Sequence, residues 1–391
     1  MPLDSAVVLA AGEGRRLRPL TRYRPKPMLP AANRPILEHV LDALVDAGID
    51  DIHVVVGYRG DRVRDHFGPT YRDRPLTYHT QKKQLGSGHA LLRARDALKG
   101  DFLVVNGDEI VGSDTVRAVV DVHSPADTCT LAVAESDDAP LYGAVRLEDS
   151  TVTELIEKPG SGSYRLLNVG AYAFSPTFLA TIDDVEREEG ELALTDGISR
   201  VMERGGHVRG VRTDGMHSEV TYPWDLLELA ATLLSVDASN GVEVSDSASV
   251  AEGAALYPPV VIGADAVVEP GAIVGPGTAV GRNATIEAGA VVRRSVVDTD
   301  TRVGMNATVV DSITGQSVQI GVGATAPGAP ADVRIGNRVH EGVNLGCVLA
   351  DRVRIGGGAT VAPGVLVGPG ADVGAGVTLR DNVDEDAEVR G

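Results

Sequence analysis

Nine aliphatic residues at a strict interval of six, Val244, Val250, Leu256, Ile262, Val268, Val274, Val280, Ile286 and Val292, constrain the second half of this 391-residue chain more than any other feature. Small residues recur four places after several of them, at Ala266, Ala272, Thr278, Ala284 and Ala290. A helix repeats every ~3.6 residues and a strand every ~2, so neither has this period. A coil of three short flat faces does, because each face sends one aliphatic side chain inward per turn. A second run, Val343, Leu349, Ile355, Val361, Val367, Val373 and Leu379, keeps the interval. The phase slips between Val292 and Val297, and residues 315–332, with their Gly-Ala-Thr-Ala-Pro-Gly-Ala-Pro stretch, are expected to leave the coils as a loop.

The first part of the chain has a different grammar. Strand-like runs at 6–10, 53–56 and 102–105 alternate with helix-like segments at 36–47 and 90–98. Such alternation predicts a parallel sheet with helices on both faces, an α/β Rossmann-like domain whose ligands bind at the carboxyl ends of the strands. A helix is expected over 222–236 and a linker over 237–241, which sets the domains at 1–236 and 237–391.

At the first strand end stands Leu9-Ala10-Ala11-Gly12-Glu13-Gly14-Arg15-Arg16-Leu17. Gly12 and Gly14 let bare backbone N–H groups approach an anion, and Arg16 adds a fixed cation. Pro25-Lys26-Pro27-Met28-Leu29-Pro30 follows, with Lys26 between two prolines. Together these runs resemble the sugar-1-phosphate nucleotidylyltransferases, which carry LAAGxGTRLxPLT followed by PKPMLP. Arg15 replaces that family's Thr or Ser, removing a hydroxyl and adding a positive charge. The six-residue repeat resembles the hexapeptide left-handed β-helix, an all-β coil that commonly assembles as a trimer, so a homotrimer is expected.

The resemblance implies roles for further residues. Leu9, Ala10, Ala11, Gly12 and Gly14 would form the nucleotide loop. Gln81-Lys82-Lys83-Gln84-Leu85-Gly86-Ser87-Gly88-His89-Ala90 is similar to the family's base-reading QxxQLGTxHA, which makes Gln81, Gln84, Gly86 and Ser87 the expected contacts to uracil or thymine. An amide offers a base edge a donor and an acceptor at once. Asp108, in Asn106-Gly107-Asp108 after an apolar strand, is expected to hold Mg²⁺. Glu219, in Glu219-Val220-Thr221-Tyr222-Pro223-Trp224-Asp225, matches the second metal ligand, with Asp225 as the alternative. Gly143 beside Tyr142, Glu157, Lys158 and Asn168 match the sugar-side motifs.

The implied reaction is in-line attack of a sugar-1-phosphate oxygen on the α-phosphorus of UTP or dTTP, with pyrophosphate leaving. The candidate sugars are glucose-1-phosphate and N-acetylglucosamine-1-phosphate. Arg16, Lys26 and Lys158 would stabilise charge without a covalent nucleophile. Two alternatives remain. The β-helix could acetylate an amino sugar, as in bifunctional relatives, although His340 is the one histidine after residue 217, its place does not match the family's catalytic histidine, and the loop GVGATAPGAPAD at 321–332 lacks the Asn, Tyr and Lys expected there. The chain could also be a non-catalytic regulatory subunit.

Composition narrows the partners. The net charge of −19 argues against a nucleic-acid partner, which needs a positive face. Scarce lysine, with five among 36 basic residues, and the acid excess look like a halophile's cytosolic protein, whose self-repulsion high salt screens. Cys129 and Cys347 are expected to be buried thiols. No run is long and apolar enough to span a membrane, and the N-terminus lacks a signal-peptide pattern, so a cytoplasmic protein is expected.

Overall fold

In the computed structural model, which describes residues 3–137, 139, 143–157, 159–160, 163–187, 190–237 and 241–391, contacts divide the chain into two interleaved units. The first comprises Met1–Glu13, Pro25–Met28 and Ile36–Glu219; the second comprises Gly14–Arg24, Leu29–Pro35 and Val220–Gly391. Most of the expected linker, residues 238–240, lies outside the described residues.

The first unit is built on a ten-stranded sheet. At its centre Phe102–Asn106, Ser5–Ala10, Asp51–Val56 and Arg74–Thr80 run parallel in that order. The first three carry runs of Val, Leu and Ile buried on both faces, as central parallel strands require, whereas Arg74–Thr80 buries only Leu76. The helix Ile36–Asp46 turns Leu37, Val40, Leu41 and Leu44 onto the sheet. The sheet is mixed rather than wholly parallel: Leu166–Phe174 pairs antiparallel with both Phe102–Asn106 and Cys129–Glu135. A hairpin of Gly143–Glu148 with Thr151–Glu157 completes that side, its short turn passing through Asp149 at positive φ. The helix expected over 90–98 is shorter and displaced. It forms at Ser87–Leu91 and gives way to a single 3₁₀ turn, Arg95–Ala97.

Asp127 ties the outer part of this sheet. Its carboxylate, with no side-chain exposure, accepts hydrogen bonds from Arg209 Nε at 2.8 Å and His207 Nδ1 at 2.6 Å. Burial alone would raise its pKa, but the bonds from Arg209 and His207 outweigh burial and hold the carboxyl below its ordinary value. A depressed carboxylate stabilises the fold fully above its unfolded pKa of ~3.9, and that contribution disappears as pH falls through the folded value. Asp127→Asn is therefore expected to lose about 1–3 kcal/mol near neutrality. Denaturant midpoints of the two proteins should converge as the pH is lowered below about 4.

The second unit contains three parallel sheets of seven, eight and seven strands, one per face of a coil, giving the left-handed β-helix expected from the hexad repeat. Val260, Ile262, Val268, Val274, Val280, Ile286 and Val292 stack in its core. Ladder partners lie 18 residues apart at first, with Val244 opposite Ile262 and Ile262 opposite Val280. The spacing then falls to 17, with Val280 opposite Val297 and Val303 opposite Ile320. The slip at 292–297 is thus one coil side shortened by a residue. Serine hydroxyls satisfy the backbone there: Ser295 Oγ accepts from Ser312 N at 3.1 Å and Ser312 Oγ accepts from Cys347 N at 3.0 Å.

The excursion falls later than expected. Coil strands continue through Gln319–Ile320 and Thr325–Ala326, and the chain leaves only for an antiparallel hairpin, Pro330–Ile335 with Arg338–Asn344. Val343 belongs to this hairpin, so its agreement with the six-residue interval does not place it in the stack. Cys129 and Cys347 are buried free thiols, as expected. Among the described residues no helix is long and apolar enough to cross a membrane.

Candidate functional site

The carboxyl end of Ser5–Ala10 opens a cavity of about 330 Å³ lined by Leu9, Ala11, Gly12, Gln81, Gln84, Gly86, Ser87, Asn106, Asp108, Glu109 and Glu191. Close backbone packing makes it. Gly107 N donates to Leu9 O at 2.9 Å, and a Cβ at Gly107 would lie 3.0 Å from that of Ala10. The buried Ala10 is thus the floor against which the Asp108 turn rests. A Cβ on Gly12 would meet nothing within 4 Å, so this glycine faces open space.

The segment around Gly86 is stitched to a distant stretch of chain. Gly88 N donates to Leu192 O at 2.8 Å, Leu192 N to Leu85 O at 2.9 Å, and Leu194 N to Ser87 Oγ at 2.9 Å. Gln81 is buried, and its amide nitrogen donates to Gly86 O at 3.0 Å and contacts His89 Nδ1 at 2.9 Å. Burial lowers the His89 pKa, with Arg93 and Arg187 adding to it, so the ring is a neutral acceptor. Both Gln81 donors are therefore spent inside the protein. The expectation that Gln81 presents donor and acceptor together is narrowed to its oxygen, while the exposed Gln84 donates one bond, at 3.3 Å, to Ala11 O.

A second cavity, about 320 Å³, shares Ser87, Asn106 and Glu109 with the first and adds Gly143, Glu157, Asn168, Gly170, Tyr172 and Glu219. Three of the residues expected on the sugar side, Gly143, Glu157 and Asn168, meet here. Gly143 pairs with Glu157 across the hairpin, and a Cβ on Gly143 would come 3.3 Å from that of Asn168. Asn168 Nδ2 donates to the Tyr172 hydroxyl at 2.7 Å, and Gly170 N donates to Asn168 Oδ1 at 3.3 Å. Lys158 and Tyr142 lie outside the described residues.

Residues 5–234 match the family described as Nucleotidyl transferase, and residues 256–353 match the GMPPB C-terminal domain. The chain belongs to the nucleotidyl transferase family. A Bifunctional protein GlmU of Methanococcus maripaludis is 32% identical over 265 residues, covering 65% of this chain and 62% of that protein, so the match spans about three fifths of that relative's length. A UTP–glucose-1-phosphate uridylyltransferase, AglF, of Haloferax volcanii is 36% identical over 224 residues, 56% of this chain and 92% of AglF. A UDP-glucose pyrophosphorylase solved with UDP-glucose shares the fold at TM-score 0.54 and 19% identity, covering 60% of this chain and 99% of that one.

The carboxylates expected to hold a metal have a companion that the motifs did not single out. Glu109 directly follows Asp108 and stands opposite Glu219 in an antiparallel ladder. Asn106 Nδ2 donates to its Oε1 at 3.0 Å, and the missing side chain of Gly170 leaves room for Oε2. Burial, then the charges of Asp108 and Glu219, push its carboxyl up to about 8 against the opposing effects of Lys26 and the Asn106 bond. Such excess negative charge suits a hard divalent cation, which takes oxygen ligands. Among the described residues no three acids, histidines or cysteines form a metal cage on their own. A cation here would therefore complete its shell with phosphate oxygens and water, as Mg²⁺ commonly does.

The remaining expected residues fall as follows. Lys26, 9% exposed, pairs with Asp108 Oδ2 at 2.7 Å. Gly14 and Arg16 are grouped with the β-helical unit, Gly14 at φ 67° opening a 3₁₀ turn and the Arg16 guanidinium 5.9 Å from the Tyr222 ring centroid. Asp225 Oδ2 accepts the N–H groups of Thr221 and Tyr222, both at 2.7 Å, which ties the turn leading into the helix Asp225–Asp237. The His340 ring packs 4.5 Å from that of Tyr222 and 5.2 Å from that of Trp224.

Proposed function

We propose that this protein transfers a nucleoside monophosphate from UTP or dTTP to a hexose-1-phosphate, glucose-1-phosphate or N-acetylglucosamine-1-phosphate, releasing pyrophosphate. The observation that carries the reading is the pair of adjoining cavities sharing Ser87, Asn106 and Glu109: one is lined by Leu9, Ala11, Gly12 and Gln84, the other by Gly143, Glu157 and Asn168. A two-substrate displacement needs such an arrangement, with both reactants held side by side.

In this reading the backbone around Gly12 and Gly14 cradles phosphates, Gln84 and the Gln81 oxygen read the base, and Arg16, Lys26 and Lys158 offset charge at the phosphorus and on the leaving group. Glu157 and Asn168 orient sugar hydroxyls. Asp108 and Glu219 would hold Mg²⁺, which would supply charge neutralisation at the phosphates. The uridylyltransferase named among the relatives favours UTP. We take the enzyme to be cytoplasmic and to assemble as a homotrimer through its coils, which its mass in solution checks.

Four nucleoside triphosphates crossed with several hexose-1-phosphates, in high salt with Mg²⁺ and scored by pyrophosphate release, test the proposal. The expected result is turnover confined to pyrimidine triphosphates, with one preferred sugar. Absence of turnover across the whole matrix would favour the regulatory-subunit alternative.

A further inference from the structure

Two amides line the nucleotide cavity beside Gly86 and Ser87, and they are not equally free. Gln84 is exposed and gives one long bond, at 3.3 Å, to Ala11 O. Gln81 is 4% exposed, and its backbone N–H is fixed to Val56 O at 2.8 Å, where the strand Asp51–Val56 ends. Its side-chain nitrogen meets two acceptors, Gly86 O at 3.0 Å and His89 Nδ1 at 2.9 Å.

Both acceptors belong to one turn of chain. Gly86 O also accepts Ala90 N at 3.1 Å, in the first turn of the helix Ser87–Leu91, and His89 lies in that helix. Leu192 holds the turn from outside, through Gly88 N to Leu192 O and Leu192 N to Leu85 O. A carbonyl oxygen only accepts, so Gly86 O requires nitrogen on this side of the Gln81 amide. His89 makes the same demand while its Nδ1 carries no proton, and burial, with Arg93 and Arg187, favours that neutral ring. The orientation is thus set twice. Flipping the amide would break both bonds and set oxygen against the Gly86 carbonyl.

The oxygen that remains is on the other side of the amide, and among the described residues no donor is bonded to it. Uracil and thymine carry a proton on ring nitrogen N3, whereas cytosine has a lone pair there. A fixed acceptor suits the first two and opposes the third.

We infer that His89 is a positioning residue for base selection: with the Gly86 carbonyl it turns the Gln81 oxygen toward the cavity, so that the site takes a pyrimidine whose N3 bears a proton and rejects cytosine. The inference rests on the proposed nucleotidyl transfer and deepens it, by giving the choice among pyrimidine triphosphates to one amide and the ring that orients it.

Binding and turnover are measured separately, because binding does not need the sugar phosphate. Calorimetry gives Kd for UTP, dTTP and CTP in the presence of Mg²⁺, and initial rates give kcat/KM for each. Wild type should favour UTP and dTTP over CTP ~10²-fold or more, the loss expected when a site's acceptor meets a lone pair. His89→Leu removes one acceptor and releases an N–H of Gln81, and should cut the UTP/CTP ratio ~10-fold. His89→Asn, whose amide oxygen can stand where Nδ1 stood, should restore the ratio. A histidine that only supported the fold would, on replacement, weaken all three triphosphates alike; an unchanged ratio in His89→Leu therefore overturns the inference. So does a wild type that binds CTP as well as UTP. Should His89→Leu fail to fold, His89→Gln, whose amide reaches beyond the Nδ1 position, decides on the same ratio with the same expectation. Selective binding without turnover sinks the proposed reaction and leaves the base selection standing, whereas no binding of any of the three sinks both.

Discussion

An Asp108→Asn protein will release pyrophosphate about 10³-fold more slowly than wild type while keeping its fold. The turn that carries Asp108 is held by backbone packing, through Gly107 N to Leu9 O at 2.9 Å, and the amide preserves the side chain's shape. What the substitution removes is charge. Asp108 faces the nucleotide cavity, and its oxygen is the partner of a nearly buried ammonium, Lys26 Nζ, at 2.7 Å. Two consequences must be separated: loss of a cation ligand, and an unpaired Lys26. Charge-assisted bonds of this kind contribute about 1.5–3 kcal/mol, so a drop in Tm is expected from the second alone. The double variant Asp108→Asn/Lys26→Met, which leaves no unpaired charge, separates the effect on stability from the pair's part in turnover. If the pair were only structural, the double variant would recover both Tm and turnover. Recovery of Tm with turnover still depressed is the outcome that supports a role for the Asp108–Lys26 pair at the phosphates rather than in stability alone.

The motifs that exposed this site are local, and that is why they were legible. Glycines beside a strand end and a carboxylate after an apolar run are consequences of neighbouring residues, and the hexad repeat is a rule each coil obeys by itself. The sequence also showed the slip at 292–297, which is one shortened side of a coil. It did not show the second shortened side, from Val309 to Thr314, because the following Gly- and Ala-rich stretch has loop composition. In the coils those glycines are corner residues: a Cβ on Gly321 would lie 2.5 Å from Gly357 N. Composition there reports close stacking, not departure from the coil.

What stayed hidden depends on chain separated in sequence. Glu109 reads as an ordinary acid until Glu219, some hundred residues away, is paired opposite it. The two amides of the base-reading run look equivalent, and only the positions of Gly86 and His89 show that Gln81 spends its donors internally. Arg24, whose buried guanidinium pairs with Asp298 and Asp351, carries no motif at all. Its two partners come from different coils, so no local pattern could mark it.

The second large effect is expected at Gly86, with Gly12 as its counterpart. Gly86 adopts φ 92° and ψ 169°, a region essentially reserved for glycine, and a Cβ there would sit 2.2 Å from Leu192 O. The obstacle is backbone, already bonded to Gly88 N and Leu85 O, so neither side can yield cheaply. Gly86→Ala should therefore cost about 3 kcal/mol or more in stability, strain and collision together. Relief requires the 85–88 loop to shift, which moves Ser87 and Gln84 relative to the cavity and should cut kcat/KM for the triphosphate ~10²-fold. Gly12→Ala meets no protein atom within 4 Å, so its Tm should match wild type. Its methyl would instead occupy space the phosphates need, raising KM for the triphosphate with the fold untouched. Thermal denaturation and initial-rate kinetics on the two variants check both arms. A Gly12→Ala enzyme with unaltered KM would show that this open space is not where the triphosphate lies, whatever Gly86→Ala does to stability.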